Sequence, residues 1–189
     1  YRRLMVAPHS LRQELIDLIH REMDLPDGKI VIKVNNLSDP EIIDELYDAS
    51  RAGVEIDLII RSVCGLKPGI PGLSDRIRVR SILGGFLEHS RIYRFGSDGR
   101  GPDYLIGSAD LMPRNLTERV EVLVPVEDAR LQTRLEEILQ LNLAENRHAW
   151  ALSSEGEWKP IQGEPTVCAQ QSFMHRIRDQ SWMDPETRD

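Results

Sequence analysis

His89, in the run Phe86-Leu87-Glu88-His89-Ser90-Arg91, is the residue of this chain best placed to do chemistry. It lies 28 positions after Arg61, which closes the apolar run Ile56-Asp57-Leu58-Ile59-Ile60. A guanidinium presents a planar fork of donors to phosphate oxygens. An imidazole can give, take or hold a proton, or carry a phosphoryl group. An arginine ending a buried strand and a histidine near a second arginine are the parts needed to hold and move such a group. A lone histidine is ordinarily structural. This one lies between Glu88 and the cations Arg91 and Arg94, and it begins a strand rather than lying within one. The small-residue stretch Gly107-Ser108-Ala109-Asp110 follows as a tight strand end.

The charge pattern supports an anion site. The chain of 189 residues carries a net charge of −7, which argues against general nucleic-acid binding. Residues 61–120 nevertheless hold ten basic and six acidic residues, a net +4 that leaves −11 for the rest. An arginine-rich centre in an acidic protein is the signature of a local anion site rather than a sticky surface. The two cysteines, Cys64 and Cys168, lie far apart without metal-ligand spacing and read as reduced thiols of a cytosolic protein. No apolar run approaches the ~20 residues that span a bilayer. The start, Tyr1-Arg2-Arg3-Leu4-Met5-Val6, has neither an initiator Met nor a signal peptide, and reads as a chain cut from a longer one.

The elements that must position these residues are legible from periodicity. Residues 4–7 form a short strand. Ser10 with Gln13 predicts a capping box for a helix whose stripe is Leu11, Leu15, Leu18 and Ile19. A strand over 30–35 follows, then a helix opened by Asp39-Pro40 and stopped by Gly53, then a strand over 56–60. This β-α-β-α-β order predicts an α/β fold with a mixed, largely parallel central sheet flanked by helices. Ligands of such sheets bind beyond the carboxyl ends of the strands, which places Asn35, Asn36 and Arg61 on one rim. A loop over 63–75 covers that rim. Strands are expected at 77–83, 90–95, 104–108 and 120–125, the middle two as a hairpin. A helix is expected over 128–140 with Leu131, Leu135, Ile138 and Leu139 on one face. Residues 1–150 then make one domain. Residues 151–189 make an extension with one short helix over 167–178 and a disordered tail from Asp179.

The pattern His89-x-Arg91 followed by Gly107-Ser108-x-Asp110 resembles half of the phospholipase D superfamily signature, His-x-Lys-x4-Asp-x6-Gly-Ser-x-Asn. It departs from it in Arg91, in Gly96 where Asp is expected, in a late Gly-Ser pair, and in Asp110 for Asn. That signature normally occurs twice, and this chain has one copy. A longer resemblance runs from Tyr1 to about Trp150. It comprises Leu4-Met5-Val6-Ala7-Pro8, Lys33-Val34-Asn35-Asn36-Leu37, Leu58-Ile59-Ile60-Arg61 and Pro71-Gly72-Leu73-Ser74. It continues through Arg78-Val79-Arg80-Ser81-Ile82, Leu87-Glu88-His89-Ser90-Arg91-Ile92-Tyr93, Ser108-Ala109-Asp110, Met112-Pro113-Arg114-Asn115-Leu116 and Arg119-Val120-Glu121-Val122. In these words and this order the chain resembles the C-terminal part of bacterial polyphosphate kinases, the family that makes inorganic polyphosphate from ATP.

The resemblance implies a phospholipase D-like domain. It implies ATP and polyphosphate as substrates, Mg²⁺ accompanying ATP with ligands mainly outside this chain, and upstream domains as partners within a homo-oligomer. It also implies a phosphorylated histidine in an upstream domain absent here, so the isolated chain is expected to be inactive. The location implied is cytoplasmic, or membrane-associated for the full-length enzyme. Arg61 and His89 align with the family's ATP contacts, with His89 as the catalytic helper. Lys33, Arg114 and Arg119 are lesser candidates for lining a polyphosphate path. Departures are Ser62 where the family usually has Gly, Gly85 where it often has Arg, and Leu111 where it usually has Trp. Two alternatives stand beside this reading: a phospholipase D-like phosphodiesterase with His89 as nucleophile, and a non-catalytic polyphosphate-binding module. Convergence of Arg61 and His89 on one open cleft is the geometric requirement of the kinase reading.

Overall fold

Apolar runs alternating with amphipathic stretches build one sheet covered by helices. The computed structural model describes residues 4–178. In chain order these are β1 (Met5–Ala7), α1 (Leu11–Met23), β2 (Lys29–Val34), α2 (Pro40–Ala52), β3 (Glu55–Ile60), β4 (Ile77–Ile82) and β5 (Ile92–Phe95). A short 3-10 turn (Asp98–Arg100) leads to β6 (Asp103–Gly107), α3 (Pro113–Thr117), β7 (Glu121–Pro125), α4 (Ala129–Ala144), β8 (Ala149–Leu152), β9 (Trp158–Pro160) and α5 (Ala169–Arg178). The nine strands form one sheet in the order β1-β7-β6-β5-β2-β3-β4-β8-β9.

The sheet is mixed, but less parallel than expected. Only β2–β3 and β3–β4 pair in parallel, and every other neighbour pair is antiparallel. The cause is connection length. Parallel neighbours need a crossover, which α2 supplies between β2 and β3. The short link from β5 to β6 allows only a hairpin, as its spacing predicted. β1 does not join β2. It lies at the far edge against β7, with Met5 opposite Leu123.

The flanking helices follow their sequence patterns with two exceptions. Asp39 caps α2, its carboxylate accepting from the Ile42 N–H at 3.2 Å, and Gly53 ends the helix at φ +105°. The capping box expected at Ser10 does not form. Ser10 sits at ψ −18°, away from the extended conformation that turns a hydroxyl back over the first turn, and the Gln13 amide reaches Asp17 instead. α1 and α2 bury Leu11, Leu15, Ile19, Ile42 and Leu46 against one sheet face with Ile30, Ile32, Val34, Ile56, Leu58 and Ile60. α4 covers the other face, where Leu135, Ile138 and Leu139 meet Val31, Ile59, Ile82 and Ile92. Leu131, expected on that stripe, is exposed because it lies one turn beyond the covered face.

The domain boundary expected at residue 150 falls inside β8. The strand runs on to Leu152, with Ala151 opposite Arg80 of β4, and β9 extends the sheet further. The tail from Asp179 lies outside the described residues. No helix among the described residues is long and apolar enough to cross a membrane.

Candidate functional site

The register brings β1, β6, β2, β3 and β4 to one rim by their carboxyl ends, and β5 and β7 by their amino ends. Asn35 and Asn36 follow β2, Arg61 follows β3, His89 to Arg91 precede β5, and Ser108 to Asp110 follow β6. The rim is therefore where the sequence words meet.

Arg61 and His89 converge on it. One terminal guanidinium nitrogen of Arg61 lies 3.3 Å from His89 Nδ1 and donates to the Glu88 carbonyl at 3.2 Å. A guanidinium has no acceptor, so Nδ1 takes the acceptor role, which assigns the ring's N–H donor to Nε2. The imidazole then offers an N–H donor on the edge away from Arg61. His89 is exposed and Arg61 half-buried, so the pair opens outward. The Ser81 hydroxyl donates to the Arg61 carbonyl at 3.1 Å and ties the end of β3 to β4.

Behind the pair lies a buried carboxylate, Asp110. Its Oδ1 accepts from the Asn35 N–H at 2.8 Å, the Asn35 amide at 3.1 Å and Arg91 Nε at 3.2 Å. Its Oδ2 accepts from the Asn36 amide at 3.1 Å and from Arg91 at 3.3 Å. Arg91 also donates to the His89 carbonyl at 2.9 Å. The residue that departs from the superfamily signature thus joins β2, β5 and β6 beneath the histidine. Burial alone would push the Asp110 carboxyl up. The donors of Arg91, Asn35 and Asn36 outweigh burial and hold it below its ordinary range.

A depressed folded-state pKa contributes stability that is present above the unfolded value of about 4 and lost as pH falls through the folded value. Asp110→Asn is therefore expected to cost about 2 kcal/mol at pH 7, the loss of charged hydrogen bonds in a buried setting. The gap from the parent should narrow below pH 4. Urea unfolding followed from pH 7 to pH 3 measures both, and a gap independent of pH would refute the assignment.

The three lesser candidates divide. Lys33, expected to line a polyphosphate path, does not face solvent. It is only 3% exposed and its Nζ pairs with Glu88 Oε2 at 2.7 Å, so its charge is committed to the Glu88 carboxylate. Arg114 and Arg119 are exposed on the segment between β6 and β7 that borders the same rim, apart from the Arg61–His89 contact. Leu111 is buried, its carbonyl accepting from the Ser38 and Asp39 N–H groups at 2.8 and 3.0 Å. Gly85 is exposed, with open space around its Cα. One further residue reaches the rim from far along the chain. Gln170 of α5 touches the Phe86–Glu88 segment, a contact 84 residues apart that no local pattern announces.

The chain matches the family model described as polyphosphate kinase C-terminal domain 2 over residues 4–171. It is 48% identical over 181 residues to polyphosphate kinase 1 of Chlorobaculum tepidum, covering 93% of this chain and 26% of that protein. It thus spans about a quarter of the length of that relative. Among solved structures, polyphosphate kinase from Porphyromonas gingivalis superposes with a TM-score of 0.89 at 36% identity, over 96% of this chain and 29% of that one. Nuc from Salmonella typhimurium, a phospholipase D family member, superposes at 0.58 with 17% identity over 80% of this chain and 97% of that one. That likeness establishes the phospholipase D-like fold. A family model matching nearly the whole described chain, with a relative 48% identical over 93% of it and a fold shared with the solved enzyme, places the chain in the polyphosphate kinase family, to which it belongs as a C-terminal domain.

Proposed function

We propose that this chain forms one wall of the ATP site of a polyphosphate kinase that reversibly transfers the γ-phosphate of ATP to inorganic polyphosphate. The nucleophile is a histidine carried by a domain outside this chain. The observation that carries the reading is the 3.3 Å approach of Arg61 to His89 on an open rim.

The chemistry follows from charge and position. The outside imidazole attacks the γ-phosphorus, and the bond from phosphorus to the β,γ-bridging oxygen breaks with its electron pair remaining on ADP. A terminal oxygen of polyphosphate then attacks the phosphohistidine and releases the imidazole. Arg61 neutralises charge on the phosphate oxygens, and His89 donates from Nε2 to the same group. Arg91 and Asp110 hold the His89 backbone. The exposed Arg114 and Arg119 draw the polyanion along the rim.

The ligands of the Mg²⁺ that arrives with ATP are assigned mainly outside this chain, because the carboxylates of this rim already have protein partners. Glu88 is engaged by Lys33 and Gln170, Asp110 by Arg91 and two asparagines, and Glu121 by Ser108 and Asn115. Among the described residues no group of three or more His, Cys, Asp or Glu could hold a metal.

Incubation with γ-labelled ATP and Mg²⁺ tests the proposal. The full-length protein should elongate polyphosphate and carry acid-labile label on a histidine outside this chain, while the isolated chain stays unlabelled. Stable label on His89 would overturn its assignment as helper.

A further inference from the structure

The segment Phe86–Glu88, which carries the backbone into His89, belongs to no strand, and its apolar side chains do not anchor it. Phe86 is 63% exposed and Leu87 76%. The Gln170 side chain anchors it instead. Its Oε1 accepts from the Phe86 N–H at 3.0 Å, and its Nε2 donates to the Phe86 carbonyl at 2.8 Å. The amide thus pairs with the backbone of Phe86 as a neighbouring strand would. The same Nε2 donates to Glu88 Oε1 at 2.8 Å, while Glu88 Oε2 takes Lys33 and the Glu88 carbonyl takes Arg61. The Phe86–Glu88 side of this segment is therefore held by one amide and the groups next to it, while Arg91 holds the His89 carbonyl from the other side.

The surroundings are fitted to that amide. Gln170 is only 8% exposed. A Cβ added at Gly84 would lie 2.4 Å from its Oε1, so a side chain at position 84 would displace it. Its helix is anchored in turn by the buried Glu145 carboxylate. This accepts from the Ala169 N–H at 2.6 Å and from the Arg147 and His148 N–H groups at 2.8 and 2.9 Å. Glu145 follows α4, whose last carbonyls receive the Arg80 guanidinium. A chain of hydrogen bonds thus leads from the sheet through α4 and α5 to the turn that presents His89.

We infer that Gln170 is a positioning residue for the Arg61–His89 pair, and that α5 is a working part of the site rather than an appendage. The inference rests on the proposed kinase function. Phosphoryl transfer depends on placement, and a shift of about 1 Å costs up to ~100-fold in rate. Gln170 is buried and its amide is committed to Phe86 and Glu88, so its loss should weaken the chemical step more than ATP binding.

Gln170→Met in the full-length protein tests this, because it keeps the volume and removes all three hydrogen bonds. Expected are a kcat about tenfold lower, a KM for ATP within about threefold of the parent, and faster hydrogen exchange at the Phe86 amide. Gln171→Ala, one residue on and exposed, should change none of these. Parental kcat despite faster exchange at Phe86 would overturn the inference. So would a change confined to KM, or a loss of activity that only tracks a loss of folded protein by circular dichroism. If the unsubstituted protein makes no polyphosphate from ATP, the proposed function falls instead, and the exchange measurement still tells whether Gln170 holds the turn.

Discussion

Arg61→Ala in the full-length protein should lower kcat for ATP-dependent polyphosphate synthesis by about a thousandfold, and His89→Ala by about a hundredfold. The arginine is the larger because it brings a permanent charge and a fork of donors to the group in transit. It also bonds the Glu88 carbonyl and faces His89 Nδ1, so its removal frees the histidine as well. Arg61→Lys should recover little, since one ammonium cannot reach the phosphate, the carbonyl and the imidazole together. The histidine variants distinguish two roles. If the donor at Nε2 is what matters, His89→Gln, whose amide nitrogen reaches a similar place, should be at least ~10-fold more active than His89→Ala. Equal activity of the two would instead assign proton transfer to His89. The two positions are coupled through a direct contact, so their effects should be less than additive in the double variant. Additive losses in steady-state kinetics would mean that the two side chains do not work on one phosphate.

The second large effect is on stability. Gly107→Ala is expected to destabilise the protein by about 3 kcal/mol or more. A Cβ at Gly107 would lie 1.9 Å from the Val122 carbonyl oxygen and 2.8 Å from Leu123 Cδ2. The backbone carbonyl cannot yield cheaply. The same Val122 oxygen accepts from the Ser108 N–H at 3.1 Å, and Gly107 stands opposite Leu123 in the β6–β7 ladder. Room for a methyl group opens that ladder just before Ser108 and Asp110, so stability and site geometry should fail together. Gly85→Ala is the control. An added Cβ there meets nothing within 4 Å, and the position is exposed, so stability should change by less than ~0.5 kcal/mol. Urea unfolding of the two variants decides it, and equal stability would show that β6 and β7 are not so closely joined.

Gly85 and Gly107 also show where sequence reading succeeds and where it stops. Gly85 stood out by comparison with the family's words, yet nothing around it requires glycine. Gly107 stood out only as part of a small-residue stretch, and the carbonyl that demands it comes from β7, 15 residues later. The helices at Pro40 and Ala129 were legible because Asp39 and Asp128 act within their own first turns. The Ser10 cap was not, because a hydroxyl caps only when its backbone is extended, and the path of the chain out of β1 decides that.

The sequence by itself determined the element types from β1 to β7 except the short α3, those of α4 and α5, the carboxyl-end placement of Asn35, Asn36 and Arg61, and the kinship that marks His89, but not β8 and β9. Each depends on local periodicity or on an ordered set of short words, and both survive without coordinates. Tertiary structure alone decided that the sheet is mostly antiparallel, that Lys33 is committed to Glu88, that Asp110 braces three strands, and that Gln170 holds the turn before His89. These are pairings between residues 19 to 84 positions apart. Such partners are chosen by strand order and register, which close only when the whole sheet is assembled.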